Sequence, residues 1–123
     1  MEEKSEAFSG AFEGYLKKHK TVGGLTLFSG WTKRYFVLNL DTFTMIYYKN
    51  RKKKGKASPV PLLEMLQVNK PNSEGNEVQL SSGKEWEYEF ELLTRSRNFL
   101  FNAYSWNDRE VWYKALVQLM DYK

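Results

Sequence analysis

The hydrophobic pattern of this sequence has a period of two for most of its length and changes once to a helical period, near the carboxyl end. The segment 85–93 (EWEYEFELL) alternates glutamates with apolar side chains, which is typical of a half-buried strand. In the last segment, apolar residues recur at spacings of one, three and four, namely Val111, Trp112, Ala115, Leu116, Leu119 and Met120. Short strands followed by one amphipathic helix predict a small antiparallel barrel or sandwich, with the helix covering an open end.

Seven short strands are predicted before the helix. They are residues 12–18, 31–38 and 43–49, a fourth strand bracketed by Pro59 and Pro61, and residues 66–69, 85–93 and 99–104. Because proline cannot donate a ladder hydrogen bond, the fourth strand is expected at an edge or end of the sheet. Residues 19–30, which contain Gly23-Gly24, are predicted to form a loop, and the polar residues 71–84 an insertion.

The boundaries of the domain follow from composition and from a helix start signal. Residues 1–11 are acidic and small, which predicts a loosely docked leader and places the folded domain at residues 12–122. Ser105 followed by Asp108 is a capping-box type of N-cap, so the helix is expected to begin directly after Ser105. The 123 residues suffice for one domain.

Composition excludes several classes of function. The chain has no cysteine and one histidine, so neither disulfides nor an ordinary zinc site is expected. It contains no nucleophile–base pair and no phosphate loop of the NTPase type, so we expect no enzyme activity and no cofactor. The glutamates of 85–93 stack along one face and are predicted to be solvated rather than catalytic. No apolar run is long enough to span a bilayer, and a soluble, cytoplasmic monomer is expected.

The positive charge is concentrated in one third of the chain. Residues 17–56 contain eleven lysines and arginines against one acidic residue, Asp41, whereas the rest of the chain is net acidic. Such a distribution makes the molecule a dipole whose positive region attracts polyanions. A nucleic-acid site at Arg51 to Lys54 is disfavoured, because neither a recognition helix nor a set of stacking aromatics accompanies these residues.

Three motifs in order resemble the pleckstrin homology (PH) domain family. They are EGYLKK in the first strand, WTKRYFVL as the second strand, and Trp112 within REVWYKAL of the helix. The resemblance implies a seven-stranded antiparallel fold of two near-orthogonal sheets capped by the C-terminal helix. Many members bind phosphoinositide head groups in a basic pocket formed by the loops between strands 1–2, 3–4 and 6–7. Others bind proteins, so the fold alone does not decide the function.

Lys18 and Arg34 are the central predicted ligand-binding residues. The resemblance assigns them to basic positions late in strand 1 and early in strand 2. Strand alternation supports the assignment, because Lys18 shares a face with Leu16 and Arg34 shares one with Phe36. Both side chains are therefore expected to point inward at the barrel mouth, where they would contact a phosphate.

The other predicted head-group contacts surround this pair. Tyr48, placed on the face of Ile46, resembles the phosphate-bonding tyrosine of the family. The remaining predicted contacts are basic side chains of the rim loops, namely Lys20, Arg51, Lys54, Lys56 and Arg95. The middle basic position of the family signature is occupied by Thr32. This favours a less selective ligand, either a monophosphorylated phosphoinositide or anionic lipid in general, such as phosphatidylserine or phosphatidic acid.

Two alternatives concern the first loop and the function itself. Val22, Leu25 and Leu27 lie between lysines and could insert into the head-group region of a bilayer, or the loop could fold back and bury Leu27 and Phe28. The predicted function is recruitment of the protein to a membrane surface, where it would be peripherally bound. The alternative is a protein-binding PH domain that uses a sheet edge, the insertion at 71–84 or the acidic face of strand 6.

Overall fold

In the computed structural model the chain is described at residues 10–22, 25–70 and 88–123, and these ranges form seven strands and one α-helix. The strands are β1 (Ala11–Val22), β2 (Leu25–Asn39), β3 (Thr44–Tyr48), β4 (Ser58–Pro61), β5 (Met65–Asn69), β6 (Glu89–Thr94) and β7 (Asn98–Asn102). The helix α1 is Trp106–Met120, and a single 3₁₀ turn, Leu62–Glu64, connects β4 to β5. The predicted antiparallel fold with a C-terminal helix is confirmed.

All strand pairs are antiparallel, and the order across the sheet is β4-β3-β2-β1-β7-β6-β5. β4 is an edge strand, as its prolines require, and pairs through Pro59 opposite Ile46 and Pro61 opposite Thr44. The predicted turn after β2 is held by Asn39, whose Oδ1 accepts hydrogen bonds from the backbone of Asp41 at 2.8 Å and of Thr42 at 3.1 Å.

The predicted loop at residues 19–30 is wrong for most of its length. β1 extends to Val22 and β2 begins at Leu25, so the two strands form one long hairpin. Pairing continues beyond a register shift between His19 and Thr21 and reaches Val22 opposite Leu25. A glycine pair predicts a break between strands, but the strand bounds leave only residues 23–24 between β1 and β2, so most of the segment predicted as a loop belongs to the two strands.

The core is closed by the helix. Trp112 is 1% exposed, and its ring lies 4.7 Å from that of Phe12 and 6.5 Å from that of Phe36, each measured between centroids. The predicted N-cap is confirmed, since Ser105 Oγ accepts a 3.0 Å hydrogen bond from the backbone of Asp108. Asp108 Oδ2 reciprocates by accepting from Tyr104 N at 3.1 Å, so the helix start is fixed from both sides.

The sixth strand departs from its prediction in one respect. Phe90 and Leu92 are in the core, as the alternation requires, but Glu89 on the opposite face is 2% exposed rather than solvated. Glu91 is half-buried and accepts a 3.0 Å hydrogen bond from Asn69 Nδ2. Residues 85–87, the insertion at 71–84 and leader residues 1–9 lie outside the described residues, and β1 begins at Ala11.

Candidate ligand-binding site

Lys18 and Arg34 lie on the same face of the β1–β2 hairpin. In the register of this hairpin, Leu16 is opposite Arg34 and Lys18 is opposite Thr32, so the two cationic residues are diagonal neighbours. Leu16 is fully buried on this face, whereas Lys18 and Arg34 are half-buried. On the inner face of the hairpin, a buried apolar side chain, Leu16, therefore lies directly opposite a half-buried cationic one, Arg34, and this pair marks the border between the core and the open end of the barrel.

The tyrosine on this inner face is Tyr47, and the placement of Tyr48 there is wrong. Phe36, which is fully buried, pairs with Tyr47, and the two rings stack with centroids 5.0 Å apart. Tyr48 pairs instead with Tyr35, whose hydroxyl bonds to Glu13 on the outer face of β1. The sequence did not separate the two faces of β3 because Met45 and Ile46 are both apolar, and the structure buries Met45.

Tyr47 connects two cationic groups. The Lys18 ammonium is 5.6 Å from the centroid of the Tyr47 ring, within the range of a cation–π contact. On the other side, Arg97 Nη1 donates a long hydrogen bond of 3.5 Å to the Tyr47 hydroxyl, and its guanidinium lies 4.6 Å from the Phe99 ring centroid. Tyr47 thus contacts both a lysine of β1, Lys18, and an arginine of the β6–β7 turn, Arg97.

Arg97 takes the place that the sequence analysis gave to Arg95. Arg95 Nε donates to the backbone oxygen of Leu63 at 3.2 Å, so this side chain is directed to the 3₁₀ turn. The backbone N of Arg97 donates to Thr94 Oγ1 at 3.0 Å, and the Thr94 hydroxyl donates to the Arg97 carbonyl, which fixes the turn. The composition of this turn revealed two arginines but not which of them faces the tyrosine.

A cleft of about 580 Å³ extends from Tyr47 and Arg97 to the edge strand β4. Lys56, one of the predicted rim residues, lines this cleft, as do the small polar residues Ser58 and Ser96. Among the described residues that line it, the cleft joins one cation from the β3–β4 loop and one from the β6–β7 turn with a single carboxylate, Glu64, so its lining keeps a net positive charge that suits an anionic group with several hydrogen-bond acceptors.

The first half of the basic β3–β4 loop is attached to the outer face of the hairpin. The backbone N of Arg51 donates to the Tyr15 hydroxyl at 3.1 Å, and the Lys53 ammonium lies 3.0 Å from Glu13 Oε1. The Arg51 and Lys54 side chains are exposed. Of the predicted loop residues, Lys56 therefore faces the cleft, whereas the main chain at Arg51 is held on the other side of the sheet.

Glu13 and Tyr35 perturb each other in this outer cluster. Tyr35 Oη donates a 2.7 Å hydrogen bond to Glu13 Oε1, and this bond, together with the Lys53 ammonium, lowers the pKa of the Glu13 carboxyl. Burial and the bond to Glu13 raise the pKa of Tyr35 to about 12. Both groups are consequently locked in their ordinary neutral-pH forms, with Glu13 charged and Tyr35 protonated.

Four further predicted residues are placed only by their backbone. Lys20 and Val22 belong to β1, and Leu25 and Leu27 to β2, near the end of the long hairpin. Their side chains lie outside the described part of the structure, as does that of Phe28, so insertion of this segment into a bilayer stays a prediction. Within the described residues, no helix has the length and apolar character needed to cross a membrane.

Several solved structures with similar folds are PH domains. The N-terminal PH domain of human ARAP2 matches with a TM-score of 0.65 and 21% identity, covering 96% of this chain and 86% of that one. The PH domain of human oxysterol binding protein-related protein 11 matches with a TM-score of 0.68 and 19% identity, covering 98% and 88%. No curated protein matches the sequence.

A third similar structure contains a ligand. It is the C-terminal PH domain of pleckstrin in complex with D-myo-Ins(1,2,3,5,6)P5, with a TM-score of 0.62 and 21% identity, covering 92% of this chain and 99% of that one. At these identities the structures establish the fold alone. The model of the PH domain family matches residues 11–121, which is nearly the whole chain. Sequence and architecture thus agree, and the chain belongs to the PH domain family.

Proposed function

We propose that this PH domain binds the phosphate of anionic phospholipid head groups and so recruits its protein to a membrane surface. The observation that carries the proposal is the placement of Lys18 and Arg34 as diagonal neighbours on the inner face of the hairpin. Two cations on one wall suit a phosphate, which offers several acceptors and up to two charges. The ligand in the pleckstrin structure, an inositol pentakisphosphate, is of the same chemical kind.

Each contact has a role in this proposal. Lys18 and Arg34 bind the phosphate, the Tyr47 hydroxyl donates a hydrogen bond to it, and Lys56 and Arg97 supply charge from the adjoining cleft. Thr32, directly opposite Lys18, adds no cation to the wall. We therefore expect a preference for monophosphorylated phosphoinositides or general anionic lipid over head groups with vicinal phosphates. PH domains are generally non-catalytic modules, and the proposed activity is binding alone.

The basic residues around the site also attract an anionic membrane when no head group is bound in the site itself. Lysines and arginines close to an anionic leaflet contribute about 1 kcal/mol each. Arg51, Lys52 and Lys54 are exposed in the same loop and could all reach such a surface. We propose peripheral association with the cytoplasmic face of a membrane, with affinity that falls steeply as salt is added.

Vesicle sedimentation tests the proposal. Wild type, Arg34→Ala and Lys114→Ala are compared on neutral phosphatidylcholine vesicles and on vesicles that also contain phosphatidylserine or a monophosphorylated phosphoinositide. Lys114 is an exposed helix residue, so its variant removes one positive charge away from the site. We expect anionic vesicles to bind wild type and the Lys114 variant well and the Arg34 variant about tenfold more weakly. Equal binding of wild type to neutral and anionic vesicles would refute the proposal.

A second candidate function is protein binding at the other end of the barrel. Phe43 and Tyr122 are both exposed, their ring centroids are 5.4 Å apart, and a groove of about 530 Å³ runs beside Tyr122 and Val117 of the helix. Exposed apolar surface of this kind is typical of interaction sites. Such an interaction would be indifferent to Arg34→Ala, so the same variant separates the two functions.

A further inference from the structure

The turn between β6 and β7 carries an exposed serine, Ser96, that lines the cleft beside Tyr47. The turn is closed on both sides of this serine: Thr94 N donates to the Arg97 carbonyl at 2.9 Å, and Arg97 N donates to Thr94 Oγ1 at 3.0 Å. Among the described residues, no group forms a hydrogen bond with the Ser96 hydroxyl. The hydroxyl is therefore held in a fixed turn, at the surface and at the edge of the cleft.

Ser96 lies between two arginines in the sequence, Arg95 and Arg97. Arg95 Nε donates to the backbone oxygen of Leu63, and the Arg97 guanidinium lies over the Phe99 ring. Within the described ranges, neither arginine forms an ion pair with a carboxylate. An exposed serine with a positive charge on each side is electrostatically complementary to a protein kinase that has an acidic substrate cleft.

A phosphate on Ser96 would have cationic partners at hand. Lys56 and Arg97 line the same cleft as the serine, and these two cations outweigh the one carboxylate found among the described lining residues, that of Glu64. A phosphoserine carries a charge of about −1.5 to −2 at pH 7 and three strong acceptor oxygens, which suit charge-assisted hydrogen bonds to lysine and arginine. Lys56 and Arg97 are also the cations that the proposed function assigns to a lipid head group.

We infer that Ser96 is a phosphorylation site and that its phosphate occupies the cleft, where it excludes a lipid phosphate from Lys56 and Arg97. In the modification, Ser96 Oγ attacks the γ-phosphorus of ATP, the new P–O bond forms as the bond to the β-phosphate oxygen breaks, ADP leaves, and the hydroxyl proton passes to the base of the kinase. The effect on membranes rests on the proposed function, whereas the placement of the phosphate does not.

Phosphorus NMR tests the placement without any lipid. Phosphoserine is introduced at position 96 during translation, and its second pKa, ordinarily about 6, is measured by pH titration. Cations in the cleft favour the dianion, so we expect this pKa to be lower by about 0.5–1 and to return toward 6 when Lys56→Gln and Arg97→Gln are added. Lys52→Gln with Lys54→Gln removes the same charge from exposed residues of the same loop and should leave the lower pKa in place. A pKa that both pairs of substitutions change equally overturns the inference.

Incubation with ATP and a purified serine kinase that selects arginine beside its target tests whether the turn is a substrate. Phosphate is located by mass spectrometry of the digested protein, in wild type and in Ser96→Ala. We expect incorporation in the peptide that contains Ser96 and its loss in the variant. Incorporation that is equal in the two proteins, or absent from this peptide, overturns the assignment of the modification site.

Vesicle sedimentation measures the consequence for membrane binding. The matched control is Thr42→phosphoserine, which adds the same charge to an exposed residue in the turn between β2 and β3, at the other end of the sheet. On vesicles containing phosphatidylserine, we expect Ser96→phosphoserine to bind about tenfold more weakly than this control. Equal binding by the two overturns the exclusion of lipid by the phosphate. The proposed function fails by a different result, equal binding of unmodified protein to neutral and anionic vesicles, which leaves the NMR result unaffected.

Discussion

The Lys53 ammonium lies 3.0 Å from Glu13 Oε1, so an acidic residue at the start of the sheet holds the most basic loop of the protein. Lys53 itself has a φ of 57°, a left-handed conformation that a side-chain-bearing residue adopts at some cost. The contact therefore competes with any membrane for the charge of Lys53. The ion pair is weak, because the Lys53 and Glu13 side chains are 40% and 35% exposed to solvent.

Releasing this contact should strengthen binding to anionic membranes. Glu13→Gln removes one negative charge and frees Lys53, so we expect about threefold tighter binding to phosphatidylserine-containing vesicles. Asp121→Asn is the matched control, since it removes one negative charge from the exposed end of the helix. If the two variants gain equally, the local contact has no influence beyond net charge.

The two adjacent tyrosines of β3 should differ in their effect on lipid binding. Tyr47→Phe removes the hydroxyl beside Arg97 on the inner face, and we expect a several-fold loss of affinity for anionic vesicles. Tyr48→Phe removes a hydroxyl from the outer-face strand partner of Tyr35 and should bind like wild type. A larger loss for Tyr48→Phe would mean that the inner face is not the ligand face.

The buried Glu110 should make the stability of the domain depend on pH. Burial alone raises the pKa of this carboxyl, but the hydrogen bond and charge of Lys70 and the charge of Arg109 outweigh it, so its pKa is lowered from 4.5. A lowered folded-state pKa stabilises the native state above the unfolded pKa, and this contribution is lost as the pH falls through the folded value.

Urea unfolding of Glu110→Gln at several pH values measures this contribution. At neutral pH we expect the variant to lose about 1–2 kcal/mol of unfolding free energy, because the Lys70 ammonium loses its partner. The difference from wild type should shrink below about pH 4.5. Glu64→Gln, which removes the half-buried carboxylate of the 3₁₀ turn, is the control for the loss of one negative charge.

Two tryptophans of the helix allow a direct comparison of burial. Trp112→Ala should lower the unfolding free energy by about 3–5 kcal/mol, since it leaves a cavity between Phe12 and Phe36. Trp106 is 60% exposed, so Trp106→Ala should change stability little. Thermal unfolding followed by circular dichroism distinguishes these outcomes, and similar melting temperatures for both variants would contradict the packing described above.

The inner-face pair was predictable because its strands contain strong apolar markers. Leu16 and Phe36 are fully buried, and period-two alternation placed Lys18 and Arg34 with them. β3 lacks such a marker, since both of its faces are apolar, and the choice between Tyr47 and Tyr48 depends on the register with β2. Only the three-dimensional pairing resolves an ambiguity of this kind.

Other differences arise from long-range packing. Alternation gave the face of Glu89 correctly but could not indicate that this face is covered at its position. In the same way, the composition of the β6–β7 turn contained both Arg95 and Arg97, and the backbone oxygen of Leu63 decides which of them is diverted from the cleft. Neither the burial of Glu89 nor the hydrogen bond that directs Arg95 away from the cleft produces a periodic pattern in the sequence.

The prolines at the sheet edge affect how copies of the domain behave when crowded. Attachment to a two-dimensional surface raises local concentration, and an uncovered strand there would template intermolecular β-pairing. Pro59 and Pro61 have no backbone N–H, so β4 lacks two of the donors that a strand of a neighbouring molecule would need to pair with this edge. Pairing between copies through the β4 edge is therefore disfavoured, even at high local concentration.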